Sequence, residues 1–104
     1  MIDIQHKKIP IVWTIAASDC CAGTGIQSDL LTFHDFNVYG CSVITALNAQ
    51  TSFALGSSMA TQRKSVIAQI NALDSDVPAT AIKVGMLPNA ELVETVASYL
   101  VEDY

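Results

Sequence analysis

Residues 11–17 read IVWTIAA, a continuous apolar run that is rich in β-branched side chains. Runs of this kind are typical of strands that are buried on both faces, as in a parallel sheet. Residues 41–49 (CSVITALNA) and residues 80–86 (TAIKVGM) have the same character, so they predict a second and a third strand. The fold is therefore expected to centre on a sheet that contains these three strands.

A first helix is predicted after the small-residue turn at residues 18–25. Ile26, Leu30 and Phe33 recur at helical spacing and give this helix one apolar face. Asn37 is expected to end it, because asparagine adopts the left-handed conformation of a helix C-terminus more readily than most residues do.

The boundaries of the other elements follow from capping and periodicity. Thr24 and Gln27 have the spacing of a capping box, which would begin the first helix. Residues 51–58 are predicted to form a loop, with at most a short extended piece, and residues 59–73 a second helix. Asn89 is predicted to be the N-cap of a third helix.

The order of elements is strand, helix, strand, helix, strand, helix, which predicts an α/β fold with a mainly parallel sheet. We assign residues 1–10 to an N-terminal leader and residues 11–104 to one domain. The first and last strands carry no obvious guarding charges. At least one sheet edge is therefore expected to accept another strand, which would allow homo-oligomers.

Composition excludes several classes of partner and site. The net charge is −5, and only 14% of the residues are charged, so we expect no nucleic-acid partner. No apolar run approaches the roughly 18 residues that span a bilayer, so no membrane segment is expected. The three cysteines lack the spacing of a zinc site, and no metal is predicted. We interpret Cys20 and Cys21 as small space-filling residues of a reduced, cytoplasmic protein.

Polar and small residues occur at the carboxyl ends of all three predicted strands. They are the turn at residues 18–25, the pair Asn48 and Gln50, and residues 85–86. In a parallel sheet such ends share one rim, where ligands usually bind. The amide of Gln50 offers a donor beside an acceptor, which matches the edge of an aminopyrimidine. Its alternative role is to pair with the backbone at the end of the strand.

Other residues near this rim also have two interpretations. The N–H groups of residues 23–25 could bind an anion or a polar ring edge at a helix N-terminus, or the turn could simply require small residues. Asp29 either orients a substrate or a water, or it stabilises the start of the helix. Met86 either flanks a flat ring or belongs to the core. Lys83 either reaches a sheet edge or pairs with a carboxylate.

Several motifs are similar to those of one enzyme family. They are residues 14–19 (TIAASD), 22–30 (AGTGIQSDL), 39–47 (YGCSVITAL), 49–50 (AQ) and 82–87 (IKVGML). Together they resemble the hydroxymethylpyrimidine/phosphomethylpyrimidine kinases of thiamine biosynthesis. That family belongs to the ribokinase-like superfamily, so the resemblance implies a three-layer α/β sandwich.

The resemblance also implies an activity. Its members transfer the γ-phosphoryl group of ATP, with Mg²⁺, to 4-amino-5-hydroxymethyl-2-methylpyrimidine and then to the monophosphate. Carried over by motif, the expected substrate-binding residues are Gln50, Asp29, Met86, Thr24, Ala17 and Asn48. Family members are more than twice as long, and their catalytic and nucleotide-binding segments lie in the C-terminal half. This chain is therefore expected to be an N-terminal part that holds no catalytic residue and is inactive alone.

Two alternatives remain open at this point. One is a fragment of a pyridoxal-type kinase, and the other is a non-catalytic ligand-binding or interaction module. The unbroken segment at residues 45–50 favours the pyrimidine kinase. The family's first turn usually reads Gly-Ser-Asp-Ser-x-Gly-Gly-Ala-Gly, whereas this chain has Ala17 at the first position, Thr24 at the eighth, and Cys20, Cys21 and Ala22 between them. The larger side chains at Ala17 and Thr24 are expected to narrow the pocket.

Overall fold

The computed structural model describes residues 9–103. The elements in chain order are β1 (Ile11–Asp19), α1 (Gly25–Asp35), β2 (Tyr39–Gln50), β3 (Leu55–Ala60), α2 (Arg63–Asp76), β4 (Ala81–Val84) and α3 (Ala90–Asp103). Most of the predicted leader, residues 1–8, lies outside the described residues, as does residue 104.

The sheet has the order β3-β2-β1-β4. β1 pairs in parallel with both β2 and β4, whereas β3 pairs with β2 in the antiparallel direction. The mainly parallel α/β fold is therefore confirmed, but β1 is central rather than at an edge. In the described part of the chain the two edges of the sheet are β3 and β4.

The helices lie on both faces of this sheet. Trp13 and Ile15 of β1, with Cys41 and Val43 of β2, form the core with α2 and α3, which contribute Val66, Ile70, Leu92 and Val96. The intervening residues of the strands point the other way, because side chains alternate along a strand. On that side Phe33 and Leu30 of α1 lie close above Gly40. The arrangement is the predicted three-layer sandwich.

Trp13 is the largest side chain of the core and is fully buried. Its indole N–H donates to the carbonyl of Val77 over 2.9 Å, and its ring stacks on Tyr99 with 6.1 Å between ring centroids. Burial and, to a smaller degree, the carboxylate of Asp76 raise the pKa of the Cys41 thiol. Cys41 therefore packs as a small uncharged side chain.

The main error of the sequence prediction is the segment before α2. The prediction for residues 51–58 was a loop with at most a short extended piece, yet Leu55–Ala60 form a full strand that pairs with the end of β2. Every residue of this strand is exposed, so it lacks the apolar alternation that reveals a half-buried strand. Because the ladder extends to residue 60, α2 begins at Arg63 and not at residue 59.

The predicted end of α1 and the predicted start of α3 were correct, whereas α2 ends at Asp76 rather than at residue 73 and the capping box did not form. Asn37 has φ of 58° and ends α1, and the Asn89 side chain accepts a hydrogen bond from the Leu92 N–H over 2.9 Å at the start of α3. Thr24 is the N-cap of α1 but makes no side-chain cap hydrogen bond. Gln27 does not cap the helix either, because its side-chain amide oxygen accepts a hydrogen bond from the backbone N–H of Asp19.

Candidate functional site

The carboxyl ends of β1, β2 and β4 meet at one rim of the sheet. Asp19 lies beside Asn48 in the ladder, and the N–H of Cys20 donates to the carbonyl of Asn48 over 3.3 Å. The hydroxyl of Thr45 donates to the carbonyl of Met86 over 2.7 Å, which fixes the chain just beyond β4. These bonds hold the three strand ends against one another.

A cleft of about 240 Å³ opens at this rim, beside the first turn of α1. Its walls are Ala16, Ala17, Asp19, Thr24, Gly25, Asn48, Lys83, Gly85 and Met86. Four of the six residues carried over from the resemblance are therefore in the wall: Ala17, Thr24, Asn48 and Met86. The amide of Asn48 also reaches the sulfur of Met86 over 3.7 Å, so these two side chains contact each other.

Gln50 borders the cleft. Its amide nitrogen lies 3.4 Å from the hydroxyl of Thr24, and this is its one side-chain hydrogen bond among residues 9–103. The backbone of Gln50 contacts the thiol of Cys20, which accepts from its N–H and donates to its carbonyl at 3.4 and 3.3 Å. Because Thr24 begins the helix that carries Asp29, Gln50 and Asp29 lie on the same side of the sheet.

Asp29 does not line the cleft. One of its carboxylate oxygens accepts from the hydroxyl of Thr14 over 2.6 Å and from the ammonium group of Lys83 over 2.8 Å. Lys83 itself is in the wall of the cleft. Of its two sequence interpretations, the structure therefore shows the pairing with a carboxylate, and Asp29 meets the cleft through Lys83.

The turn after β1 is built around the carboxylate of Asp19, which is 1% exposed. One oxygen accepts from the N–H of Cys21 at 2.8 Å. The other accepts from the N–H of Gly23 at 3.0 Å, and from the N–H and hydroxyl of Thr24 at 2.9 and 3.0 Å. The anion at this helix start is thus a side chain of the protein. The N–H groups of Gly23 and Thr24 are therefore occupied and do not await an anion or a polar ring edge, which was one of the two interpretations of this turn.

The environment of Asp19 favours its charged form. Burial is the largest single influence and opposes ionisation, but the hydrogen bonds from Cys21, Thr24 and Gly23 together outweigh it and lower the pKa of the carboxyl group. A lowered pKa means that the folded state holds the ionised form more tightly than the unfolded state does. Its contribution to stability is complete above the unfolded value, about 3.9, and is lost as pH falls through the lower folded value.

We therefore expect Asp19→Asn to destabilise the fold at neutral pH and to flatten its acid dependence. In either orientation the asparagine amide would place its NH2 donor against a backbone N–H that needs an acceptor, that of Cys21 or those of Gly23 and Thr24. Urea unfolding at about pH 7 and about pH 3 should show a larger difference in the free energy of unfolding between wild type and variant at the higher pH. Asp35→Asn, the same change at an exposed site, is the control. Equal gaps at both pH values would contradict this role of Asp19.

The same turn departs from the family pattern at a strained position. Ala22 has φ of 64° and Gly25 has φ of 66°, so the turn has two left-handed residues of which one is a glycine. A residue with a Cβ atom pays about 1–2 kcal/mol for this conformation. Ala17 and Thr24 lie in the cleft wall, so their extra atoms relative to the family pattern occupy space there, as expected.

Two charged residues of the cleft wall, Asp19 and Lys83, were not among the predicted site residues. Asp19 had a usable signal, because an aspartate just before a run of small residues commonly accepts hydrogen bonds from the turn that follows. Lys83 stood out as a charge within an apolar strand. Its partner is 54 positions away in the sequence and could not be read from local spacing.

Other features of the described residues set the limits of the site. No group of three or more His, Cys, Asp or Glu side chains in residues 9–103 could hold a metal ion. None of the helices described is long and apolar enough to cross a membrane. A larger groove of about 500 Å³ lies between α2 and α3, away from the strand ends, and its wall includes Glu91, Glu94, Glu102 and Asp103.

The cleft lies at the carboxyl ends of parallel strands, which is where α/β proteins usually bind their ligands. The family model described as phosphomethylpyrimidine kinase matches residues 19–104. The chain therefore belongs to the phosphomethylpyrimidine kinase family. It is 45% identical over 89 residues to a hydroxymethylpyrimidine/phosphomethylpyrimidine kinase of Synechococcus elongatus. These aligned residues make up 86% of this chain and 34% of the relative.

Solved structures agree. The crystal structure of a phosphomethylpyrimidine kinase from Clostridium difficile matches 91% of this chain and 41% of its own with a TM-score of 0.86 and 38% identity. A pyridoxal kinase from Staphylococcus aureus, solved with AMP-PCP and pyridoxal, matches 90% of this chain and 35% of its own chain, with a TM-score of 0.81 and 28% identity. The predicted ribokinase-like fold is confirmed. The chain spans about a third of the length of the curated relatives that it matches.

Proposed function

We propose that this chain forms the pyrimidine-binding part of a kinase. The enzyme transfers the γ-phosphoryl group of ATP to 4-amino-5-hydroxymethyl-2-methylpyrimidine and then to its monophosphate. Membership of the family supports the reaction, and the cleft supports the part that this chain takes in it. The observation that carries the proposal is the placement of Gln50 beside a cleft whose wall includes Met86 and Asn48.

Each residue of the cleft has a proposed task. The donor and acceptor of the Gln50 amide pair with the aminopyrimidine edge, and the thioether of Met86 lies against the face of the ring. Asn48 holds the sulfur of Met86 in place. The turn fixed by Asp19 sets the distance between the first helix and the strand ends, and so the width of the cleft. The work of these residues is binding and orientation, which is a large part of catalysis in phosphoryl transfer.

ATP is the proposed phosphoryl donor, since the Staphylococcus aureus neighbour was solved with AMP-PCP. No group of three or more His, Cys, Asp or Glu side chains in residues 9–103 could hold a metal ion, so the described residues do not fit a Mg²⁺ site. We place the catalytic residue and the nucleotide site in the region of the relatives that this chain does not span. The free thiols of Cys20, Cys21 and Cys41 support a cytoplasmic setting.

The outer edge of β4 supports a further part of the proposal. This strand has four residues, three of them exposed, and it pairs on one side only in the described structure. An unpaired parallel edge accepts a strand. We propose that this edge joins either the rest of the kinase or a second copy of the chain.

A chimera tests the proposed reaction. Residues 11–104 replace the matching segment of the Escherichia coli relative, to which the chain is 45% identical over 87 residues. We expect ATP-dependent phosphorylation of the pyrimidine alcohol by the chimera and none by the 104-residue chain alone. Pyridoxal is the competing substrate.

The outcomes separate the candidate functions. A folded chimera that phosphorylates pyridoxal and not the pyrimidine would favour the pyridoxal kinase, for which the Staphylococcus aureus structure is the specific support. A folded chimera without either activity would favour a non-catalytic binding module. Turnover by the 104-residue chain alone would contradict our placing of the catalytic residue.

A further inference from the structure

Lys83 is the one cation in the wall of the cleft as the structure describes it. The other described cations, Arg63 and Lys64, belong to α2, which packs on the opposite face of the sheet from α1. The cleft wall holds one other charged group, the carboxylate of Asp19. Because that carboxylate accepts four hydrogen bonds from its own turn, its charge is already compensated.

A buried threonine and a partly buried aspartate fix the position of the Lys83 ammonium group. Thr14 is fully buried and pairs with Lys83 across the ladder between β1 and β4, so both side chains lie on the same face. The Thr14 hydroxyl and the Lys83 ammonium meet at one oxygen of Asp29, at 2.6 and 2.8 Å. The side chain of Asp29 is 18% exposed and that of Lys83 is 47% exposed. Asp29 thus anchors a lysine whose head remains in contact with the cleft.

Gly85 keeps the ammonium group uncovered. A Cβ atom at this position would lie 3.1 Å from the Lys83 nitrogen and 2.9 Å from the Cβ of Ala16. A side chain there would crowd both the ammonium group and Ala16, which line the cleft. A lysine has three N–H donors, and Asp29 takes one of them in this structure. The remaining donors can reach a ligand in the cleft.

We propose that Lys83, positioned by Asp29, binds a phosphoryl group of the ligand in this cleft. The inference rests on the proposed function, since it names the substrate form that the same cleft prefers: the pyrimidine monophosphate over the alcohol. An ammonium on a flexible stem is a common partner for phosphate. Asp29 is then a positioning residue, which differs from the direct substrate contact expected from the resemblance.

Calorimetric titration of the 104-residue chain tests this. The ligands are the pyrimidine alcohol, its monophosphate, inorganic phosphate and ATP. We expect Lys83→Met to lower the affinity for the monophosphate about tenfold or more, because one charge-assisted hydrogen bond is lost. The affinity for the alcohol should change by less than about twofold. Lys83→Arg should retain most of the preference. Lys64→Met removes the same charge from the exposed surface of α2 and should change neither affinity.

Asp29→Asn gives a second readout with Lys83 still present. We expect it to reduce the preference for the monophosphate, because the ammonium group loses the carboxylate charge that holds it in place, while circular dichroism shows a native fold. Weakening of alcohol and monophosphate by equal factors in Lys83→Met would overturn the inference and leave the proposed function intact. Equal affinity of the wild-type chain for the monophosphate and the alcohol would also overturn the inference and leave the proposed function intact.

Two further outcomes separate this inference from the proposed function. Lys83-dependent binding of the monophosphate or inorganic phosphate, without measurable binding of the alcohol, would support the phosphoryl site and count against the pyrimidine pocket. Binding of ATP that Lys83→Met weakens by the same factor would also support the phosphoryl site, with the nucleotide as the source of the phosphate. No binding of any phosphate-bearing ligand would overturn the inference.

Discussion

Replacing Gly25 with alanine is expected to destabilise the protein by about 3 kcal/mol or more. Gly25 has φ of 66°, and a Cβ atom there would lie 2.3 Å from the carbonyl oxygen of Ala17. The left-handed conformation alone costs an alanine about 1–2 kcal/mol. The remaining cost arises because the obstructing atom belongs to the backbone of the central strand and cannot rotate away. The substitution should also disrupt the cleft, since Ala17 and Gly25 both line it.

Gly23→Ala is the matched control for this substitution. Its Cβ atom would meet the carboxylate of Asp19 at 3.8 Å, an ordinary contact, and its φ is not in the left-handed region. We expect the control to change stability by less than about 1 kcal/mol. Urea unfolding of the wild type and both variants measures the difference. Similar losses in the two variants would show that the turn is not held against Ala17 as described.

The parts of the fold that could be predicted are those whose sequence repeats a buried pattern. β1 was visible as six apolar residues around Thr14. The inner face of α3 was predicted to hold Leu92, Val93, Val96 and Leu100; Leu92 and Val96 are buried, whereas Val93 is exposed. β3 could not be seen because it forms by hydrogen bonding to β2 and buries nothing. Position relative to a partner strand, and not local composition, decides such an edge strand.

The site shows the same division. The rim itself follows from the order of elements, and Gln50 and Met86 were found at strand ends by that rule. What the side chains do depends on contacts across the sheet. The pairing of Lys83 with Asp29, and the capture of the turn by Asp19, both join residues that no spacing rule connects. Thr24 and Gln27 had the spacing of a capping box, but Asp19 competes for both side chains.

Replacing Gln50 with alanine is expected to weaken binding of the pyrimidine alcohol by about 10- to 100-fold. The amide supplies a donor and an acceptor to the ring edge, and each hydrogen bond is worth about 0.5–1.5 kcal/mol. Its loss also leaves the polar edge of the bound ring without partners, which adds to the cost. The side chain is available for this role, because its hydrogen bond to Thr24 is long, at 3.4 Å. Folding should be little affected, since Gln50 is only half-buried.

Asn71→Ala is the control, an exposed amide removed from α2 on the other face of the sheet. The central claim is that the rim beside Gln50 binds a flat aminopyrimidine. Calorimetric titration of the pyrimidine alcohol into the 104-residue chain, the Gln50→Ala variant and the Asn71→Ala variant tests it most directly. We expect the wild type and Asn71→Ala to bind the pyrimidine alcohol, with the large loss of affinity confined to Gln50→Ala. Equal affinity in all three proteins would contradict it.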